Sequence, residues 1–306
     1  MRITVIGAGA VGGYFGGRLA EAGEDVTFLV RANRAKQLAN TGLEIISPCG
    51  NYLLPNPKAV VDSRAIKACD LVILAVKNYH LAGTLAQLEP LVASGAKILP
   101  LLNGVEHFDI LAQKFGSEAV LGGLCKIIST LDGEGRIHHT NNLHRITFGP
   151  IQASQTAFCH QVKQTLDRAK VEIELSEDIW ADIWGKYAFI TAYSGITTAS
   201  RLTIDAVLQV EACKELYFRA LQEMWNLAKA CGTMLPADYV AQNEKFALAF
   251  EKGSTSSMHQ DFRKGLPLEV ESLQGAAIRR ALRFNVDLPT VRTLYGLIKP
   301  FEHGTN

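Results

Sequence analysis

Residues 7–12 read Gly7-Ala8-Gly9-Ala10-Val11-Gly12, three glycines at the spacing of a turn that lets a backbone approach phosphate. They follow the β-forming run Ile3-Thr4-Val5-Ile6 and open a helical pattern from Ala10 to Ala22, stopped by Gly23. A second β run, Val26 to Val30, completes a β-α-β unit within about thirty residues, the context in which G-x-G-x-x-G binds a dinucleotide. Gly7 then permits the tight turn, Gly9 lets the backbone reach a pyrophosphate, and Gly12 lets helix and strand pack closely. Ala8, Ala10 and Val11 belong to the same cofactor-binding turn, and the helix N-terminus offers its N–H groups to the phosphates. The bland alternative is a glycine-rich turn that binds no nucleotide. At the end of the second strand, where an NAD site carries an acidic residue for the ribose, stands Arg31, with Asn33 and Arg34 behind it. A guanidinium matches a phosphate, so the 2′-phosphate of NADPH is the fitting ligand, against a reading of solvated arginines opening a surface helix.

A second set of reactive types lies in the second half of the chain. Ile179, Ile183, Lys186, Ile190 and Ser194 recur at spacings of three and four, one face of a helix. An ammonium in an isoleucine stripe is desolvated and its pKa falls toward neutrality, as suits a proton donor near pH 7. The alternative is a lysine at the stripe's edge, snorkelling to water. The hydroxyl-rich run Ser254-Thr255-Ser256-Ser257 leads into a helix and suits either a carboxylate ligand or a plain cap.

The elements that must position these groups fall into two halves. Strand and helix alternate as far as about residue 175: a short helix over 32–40, an extended segment over 43–46, and a loop over 47–57. A buried strand over 70–76 ends in Lys77, a helix covers 81–92, and another buried strand over 97–102 ends in Asn103-Gly104. Lys77 and Asn103 thus follow carboxyl ends of strands, where open α/β sheets bind ligands. Runs over 119–129, 135–140 and 145–148 read as antiparallel additions, followed by a helix over 152–169 and a last strand over 171–174. Beyond about residue 176 only helical periodicity remains. The expected fold is α/β, a Rossmann-type dinucleotide-binding domain over 1–175 followed by an all-α domain over 176–306.

With 48% apolar and 20% charged residues and a formal charge of +1, the chain gives no reason to expect nucleic acid or a membrane as partner. Six scattered cysteines without a C-x-x-C pair suit reduced thiols in the cytoplasm. His138, His139 and His144 have no cysteine or carboxylate at ligand spacing and read as strand and loop polar residues, so no metal is expected. No apolar run reaches the length of a membrane span, and with the first strand at the N-terminus no cleavable signal is expected.

Taken in order, Gly7 to Gly12, Arg31, Lys77, Asn103-Gly104, Lys186, and Ser256-Ser257-Met258-x-Gln260-Asp261 followed by Glu269 resemble the ketopantoate reductase family over nearly the whole chain. The resemblance implies an NADPH-dependent reductase that delivers hydride to the ketone of ketopantoate, a small 2-oxo acid, with a homodimer left open. It implies Lys186 as general acid and Glu269 as the group orienting cofactor and substrate. Arg31 and Lys77 would contact NADPH, Asn103 would lie beside nicotinamide and substrate, and Ser257 would bind substrate. One departure stands out. The family's substrate-binding asparagines, four and eight positions after the lysine, are here Ile190 and Ser194. That leaves open a less polar 2-oxo acid or ketone as substrate and, from another class, a non-catalytic NADP(H) sensor.

Overall fold

The computed structural model describes residues 1–304 and divides into two compact units. The first comprises Met1–Leu102 and His107–Ile179. Its parallel sheet joins β1 (Arg2–Ile6), β2 (Asp25–Leu29), β5 (Lys58–Val60), β6 (Leu71–Leu74) and β7 (Lys97–Pro100) in the order β5-β2-β1-β6-β7. Its central strands are buried on both faces, which is why they read as unbroken apolar runs. A second sheet joins β3 (Leu43–Ile46), β4 (Tyr52–Leu54), β9 (Ile137–Gly149) and β10 (Glu172–Leu175), with β8 (Gly122–Leu131) antiparallel to β9. Between the sheets runs α1 (Ala10–Glu21). It fits because a Cβ on Gly16 would meet Phe28 of one sheet, at 2.6 Å, and one on Gly17 would meet Ile45 of the other, at 2.7 Å. Tyr14, Phe15 and Leu19 fill the remaining core from the same helix. The other helices of this unit are α2 (Ala32–Thr41), α3 (Leu81–Ala93), α4 (Glu106–Phe115) and α5 (Thr156–Leu166).

Three expectations are corrected here. The stretch 47–57 is not all loop, because Tyr52–Leu54 returns to pair antiparallel with β3. The runs over 135–140 and 145–148 are one strand, β9, and the Ile127/Ser129 irregularity in β8 absorbs the change of register. Together β8 and β9 form the expected antiparallel hairpin, but in the second sheet. The third correction concerns the histidines. His138 is bonded to Asp132 at 2.9 Å, whereas His139 and His144 do have a cysteine companion: Cys49, remote in sequence, reaches them from the β3–β4 turn.

The second unit comprises Asn103–Glu106 and the chain from Trp180 onward. Its axis is α6 (Ile179–Ser200), buried almost all round between Thr191 and Thr198, as a helix wrapped by others must be. Around it are α7 (Ile204–Gln209), α8 (Glu211–Ala230), α9 (Tyr239–Leu248), α10 (Ser257–Arg263), α11 (Ala276–Phe284) and α12 (Pro289–Ile298). Tyr217, Leu221, Met224 and Ala228 give α8 its buried stripe at spacings of three and four. Glu223 caps α12, accepting from the N–H groups of Thr290 and Val291 at 2.8 and 2.9 Å. One turn of π-helix, Glu271–Gly275, is fastened to α6 twice: Tyr187 donates to the Leu273 carbonyl and Gln274 to that of Thr191, both at 2.7 Å. No helix among the described residues is long and apolar enough to cross a membrane.

Candidate active site

The glycine turn joins β1 to α1 as its sequence requires. Gly7 has φ +94°, and a Cβ there would come 2.7 Å from the Ala75 carbonyl oxygen. A Cβ on Gly12 would collide with the Gly7 carbonyl. One on Gly9 would meet nothing within 4 Å, so the backbone there faces open space. Gly9 is also the N-cap of α1 and supplies no side-chain cap, which leaves that helix end without a competing acceptor. Around the turn, Ala8 is buried, and Ala10 and Val11 are half-buried.

The arginines behind β2 divide their labour. Arg31 is exposed at the start of α2, and its guanidinium has no hydrogen-bond partner among the described residues. Arg34, by contrast, is half-buried: its Nε donates to the Ala8 carbonyl and Nη1 to the Gly135 carbonyl, both at 3.0 Å. Arg34 therefore braces the glycine turn against the β8–β9 hairpin, a role its place in the sequence did not signal. Lys77 is half-buried just beyond the carboxyl end of β6. Close by in sequence, His80 is held below its ordinary pKa by burial and then by the Arg31 charge.

In the second unit, Lys186, Asn103 and Glu269 come together. The Lys186 Nζ donates to Asn103 Oδ1 at 3.0 Å, and Asn103 Nδ2 donates to Glu269 Oε2 at 3.3 Å. Glu269 is 6% exposed. Lys186 is half-buried, consistent with a place in the stripe that keeps one side accessible. Asn103 is held there by its own short segment. Gly104 has φ +86°, and a Cβ on it would stand 2.6 Å from the Ser272 carbonyl oxygen. Two residues on, Glu106 takes a forked pair of bonds from Arg279, at 2.9 and 2.7 Å, and Arg279 also donates to Glu271 at 2.6 Å. Burial alone would raise the Glu271 pKa, but hydrogen bonds from Lys299, Tyr295 and Arg279 hold it down at about 2. This ionic fork keeps the segment bearing Asn103 beside the one bearing Glu269.

Along the Lys186 face of α6, Ile190 is half-buried and Ser194 is 3% exposed. The Ser194 hydroxyl bonds back to the Ile190 carbonyl. Three aromatic residues enrich this region: Tyr193, two turns from Lys186, stacks on Phe250 at 5.5 Å and on Phe189 at 5.2 Å. Tyr193 carried a signal, its seven-residue spacing from Lys186. Phe250, distant in sequence, carried none. Of the serine run, Ser256 is buried as the N-cap of α10, accepting from the His259 N–H at 3.1 Å and bonded to Thr197 at 2.9 Å. Ser257 beside it is exposed.

Comparison with known proteins agrees over the whole length. Residues 3–153 match the family model described as ketopantoate reductase PanE/ApbA, and residues 178–302 match its C-terminal counterpart. The uncharacterized oxidoreductase YkpB of Bacillus subtilis is 37% identical over 99% of both chains. A 2-dehydropantoate 2-reductase of Nostoc sp. is 29% identical, over 100% of this chain and 96% of that one. The crystal structure of 2-dehydropantoate 2-reductase from Geobacter metallireducens superposes with a TM-score of 0.91 at 27% identity, over 98% of this chain and 99% of that one. With its α/β dinucleotide-binding half, its helical half and these matches, the chain belongs to the ketopantoate reductase family of NAD(P)-dependent oxidoreductases.

Proposed function

We propose that this chain, working in the cytoplasm, reduces ketopantoate to pantoate with NADPH, and that Lys186 is its general acid. The observation that carries the proposal is the hydrogen-bonded chain from Lys186 through Asn103 to the buried Glu269. Bound NADPH supplies the hydride. The open backbone at Gly9 and the uncapped start of α1 fit its pyrophosphate, with Gly7, Ala8, Ala10, Val11 and Gly12 shaping the turn. The unpartnered guanidinium of Arg31 fits a 2′-phosphate, and Lys77 is a further cationic contact.

As negative charge grows on the substrate's carbonyl oxygen, the Lys186 ammonium stabilises it and then gives up a proton from Nζ. Asn103 accepts from Nζ and so fixes where the ammonium points. Glu269 fixes Asn103 in turn and orients cofactor and substrate. The exposed hydroxyl of Ser257 is available to bind the substrate. A lysine and a buried glutamate joined in this way speak against a non-catalytic sensor, which needs phosphate anchors but no proton donor.

A second reading has its own support. Ile190 offers neither donor nor acceptor, the Ser194 hydroxyl is bonded within its helix, and Phe189 and Tyr193 of the same helix stack with Phe250 from beyond α9. Together they favour a bulkier, less polar 2-oxo acid. The test is to follow NADPH absorbance with ketopantoate and with branched and aromatic 2-oxo acids, for the native protein and for Lys186→Ala. The primary reading expects ketopantoate to have the highest kcat/KM and Lys186→Ala to keep its NADPH affinity while losing about 10²–10⁴-fold in turnover. A higher kcat/KM for an aromatic substrate replaces the primary reading by the second. A Lys186→Ala variant with near-native turnover overturns the role of the lysine in both.

A further inference from the structure

Cys49, His139 and His144 form a cluster in the first unit that the proposed reaction does not use. One ligand atom from each, the Cys49 Sγ and a nitrogen of each imidazole, all lie within 4.8 Å of one another. We propose that these three residues bind a zinc ion. Nitrogen and sulfur donors in this combination select a borderline cation such as zinc over magnesium or calcium, which take oxygen.

The surroundings hold the donors in place. The Nδ1 of each imidazole is engaged by a hydroxyl: Ser47 on His139 at 2.8 Å and Tyr14 on His144 at 2.7 Å. A metal-bound imidazole characteristically has such an outer partner, which fixes the ring and directs the remaining nitrogen to the ion. Ser47 also accepts from the Cys49 N–H at 3.0 Å, so a single hydroxyl steadies two of the three ligands. The turn that presents Cys49 is closed by Ser47 N donating to Asn51 Oδ1 and Gly50 N donating to the Ser47 carbonyl, both at 3.0 Å.

Around tetrahedral zinc such ligand atoms stand roughly 3.4–3.6 Å apart, so the loaded site is about 1 Å tighter than the one seen. On His139 the ion takes the place of the hydrogen bond from Nε2 to the Leu143 carbonyl, now 3.1 Å long. The Cys49 thiol gives its proton to solvent as the thiolate binds, and the fourth position falls to water. Arg18 is the cation whose charge reaches both histidines, and it is paired with Glu21 at 2.7 Å. The ion would tie the β3–β4 turn to β9 and, through Tyr14, to α1.

The full-length protein, freed of metal with a chelator, is titrated with zinc against a chromophoric competitor, and separately with cobalt(II). The expected result is one zinc per chain with a Kd of about 1 μM or tighter, and a thiolate-to-cobalt charge-transfer band. Cys49→Ser should weaken zinc binding about 100-fold or more and abolish the band. Tyr14→Phe, which removes only the outer hydroxyl from His144, should weaken it about 10-fold. If Cys49→Ser does not fold, His144→Gln makes the same comparison. Zinc binding that is absent, or equal in the native protein and these variants, overturns the proposal, since the ion would then sit on other groups.

Discussion

Replacing Asn103 by alanine deletes both links between Lys186 and Glu269 while the backbone keeps its course. Gly104 and the Arg279 fork on Glu106 hold that segment by other means. A hydrogen bond to an ionised group is worth about 1.5–3 kcal/mol. The link to Lys186 is 3.0 Å long but reaches a half-buried ammonium, and that to Glu269 is 3.3 Å long. Water can refill part of the space, so the loss should be about 2 kcal/mol, or roughly thirty-fold in kcat. Steady-state turnover of the best 2-oxo acid gives kcat and KM, and thermal melts verify folding. The stronger test is the double variant. If Asn103 works by aiming the Lys186 ammonium, adding Asn103→Ala to Lys186→Ala should cost less than about threefold further. Full additivity of the two losses would refute the positioning role, as would a native kcat in the single variant.

Three other outcomes follow from particular side chains. Arg31→Ala should weaken NADPH binding about ten- to hundred-fold and leave NADH nearly unaffected; equal affinity of the native protein for NADPH and NADH would remove the basis for this. Gly104→Ala forces a Cβ to within 2.6 Å of the Ser272 carbonyl oxygen at φ +86°. It should therefore lower stability by about 1–3 kcal/mol and turnover with it, and an unchanged Tm and kcat would contradict the tight approach. His259 is 1% exposed, and burial, then the Arg263 charge, push its pKa down to about 4. The unfolded chain therefore binds that proton more readily, so stability is full above about pH 6.5 and declines as pH falls toward 4. The shift amounts to about 3 kcal/mol at about 1.4 kcal/mol per unit. Urea unfolding of His259→Gln should lose that part of the acid dependence, and a pH profile identical to the native one would assign it elsewhere.

What the sequence disclosed and what it withheld differ by the range of the interactions involved. The β1–α1 turn is legible because its constraints are local: Gly7 and Gly12 answer contacts within the same β-α-β unit or just beyond the strand beside it, and Gly9 leaves the backbone open between them. The strands of the parallel sheet are legible because burial on both faces leaves an unbroken apolar run. By contrast, β4 is three residues long in a polar loop and exists through its pairing with β3. Arg31 and Arg34 look alike in sequence, yet one is exposed and the other is fixed to carbonyls of Ala8 and Gly135, a partner no local pattern announces. The same holds for the two charged networks. Lys186 could be placed on a helix face from its spacing, but its link to Glu269 runs through Asn103, which itself stays in position through Glu106 and Arg279. Periodicity therefore locates reactive groups on elements, whereas the groups that aim them are supplied by distant segments. Substitutions at Asn103, Gly104 or Arg279 should consequently act on turnover before they act on either cofactor affinity or the fold of the first unit.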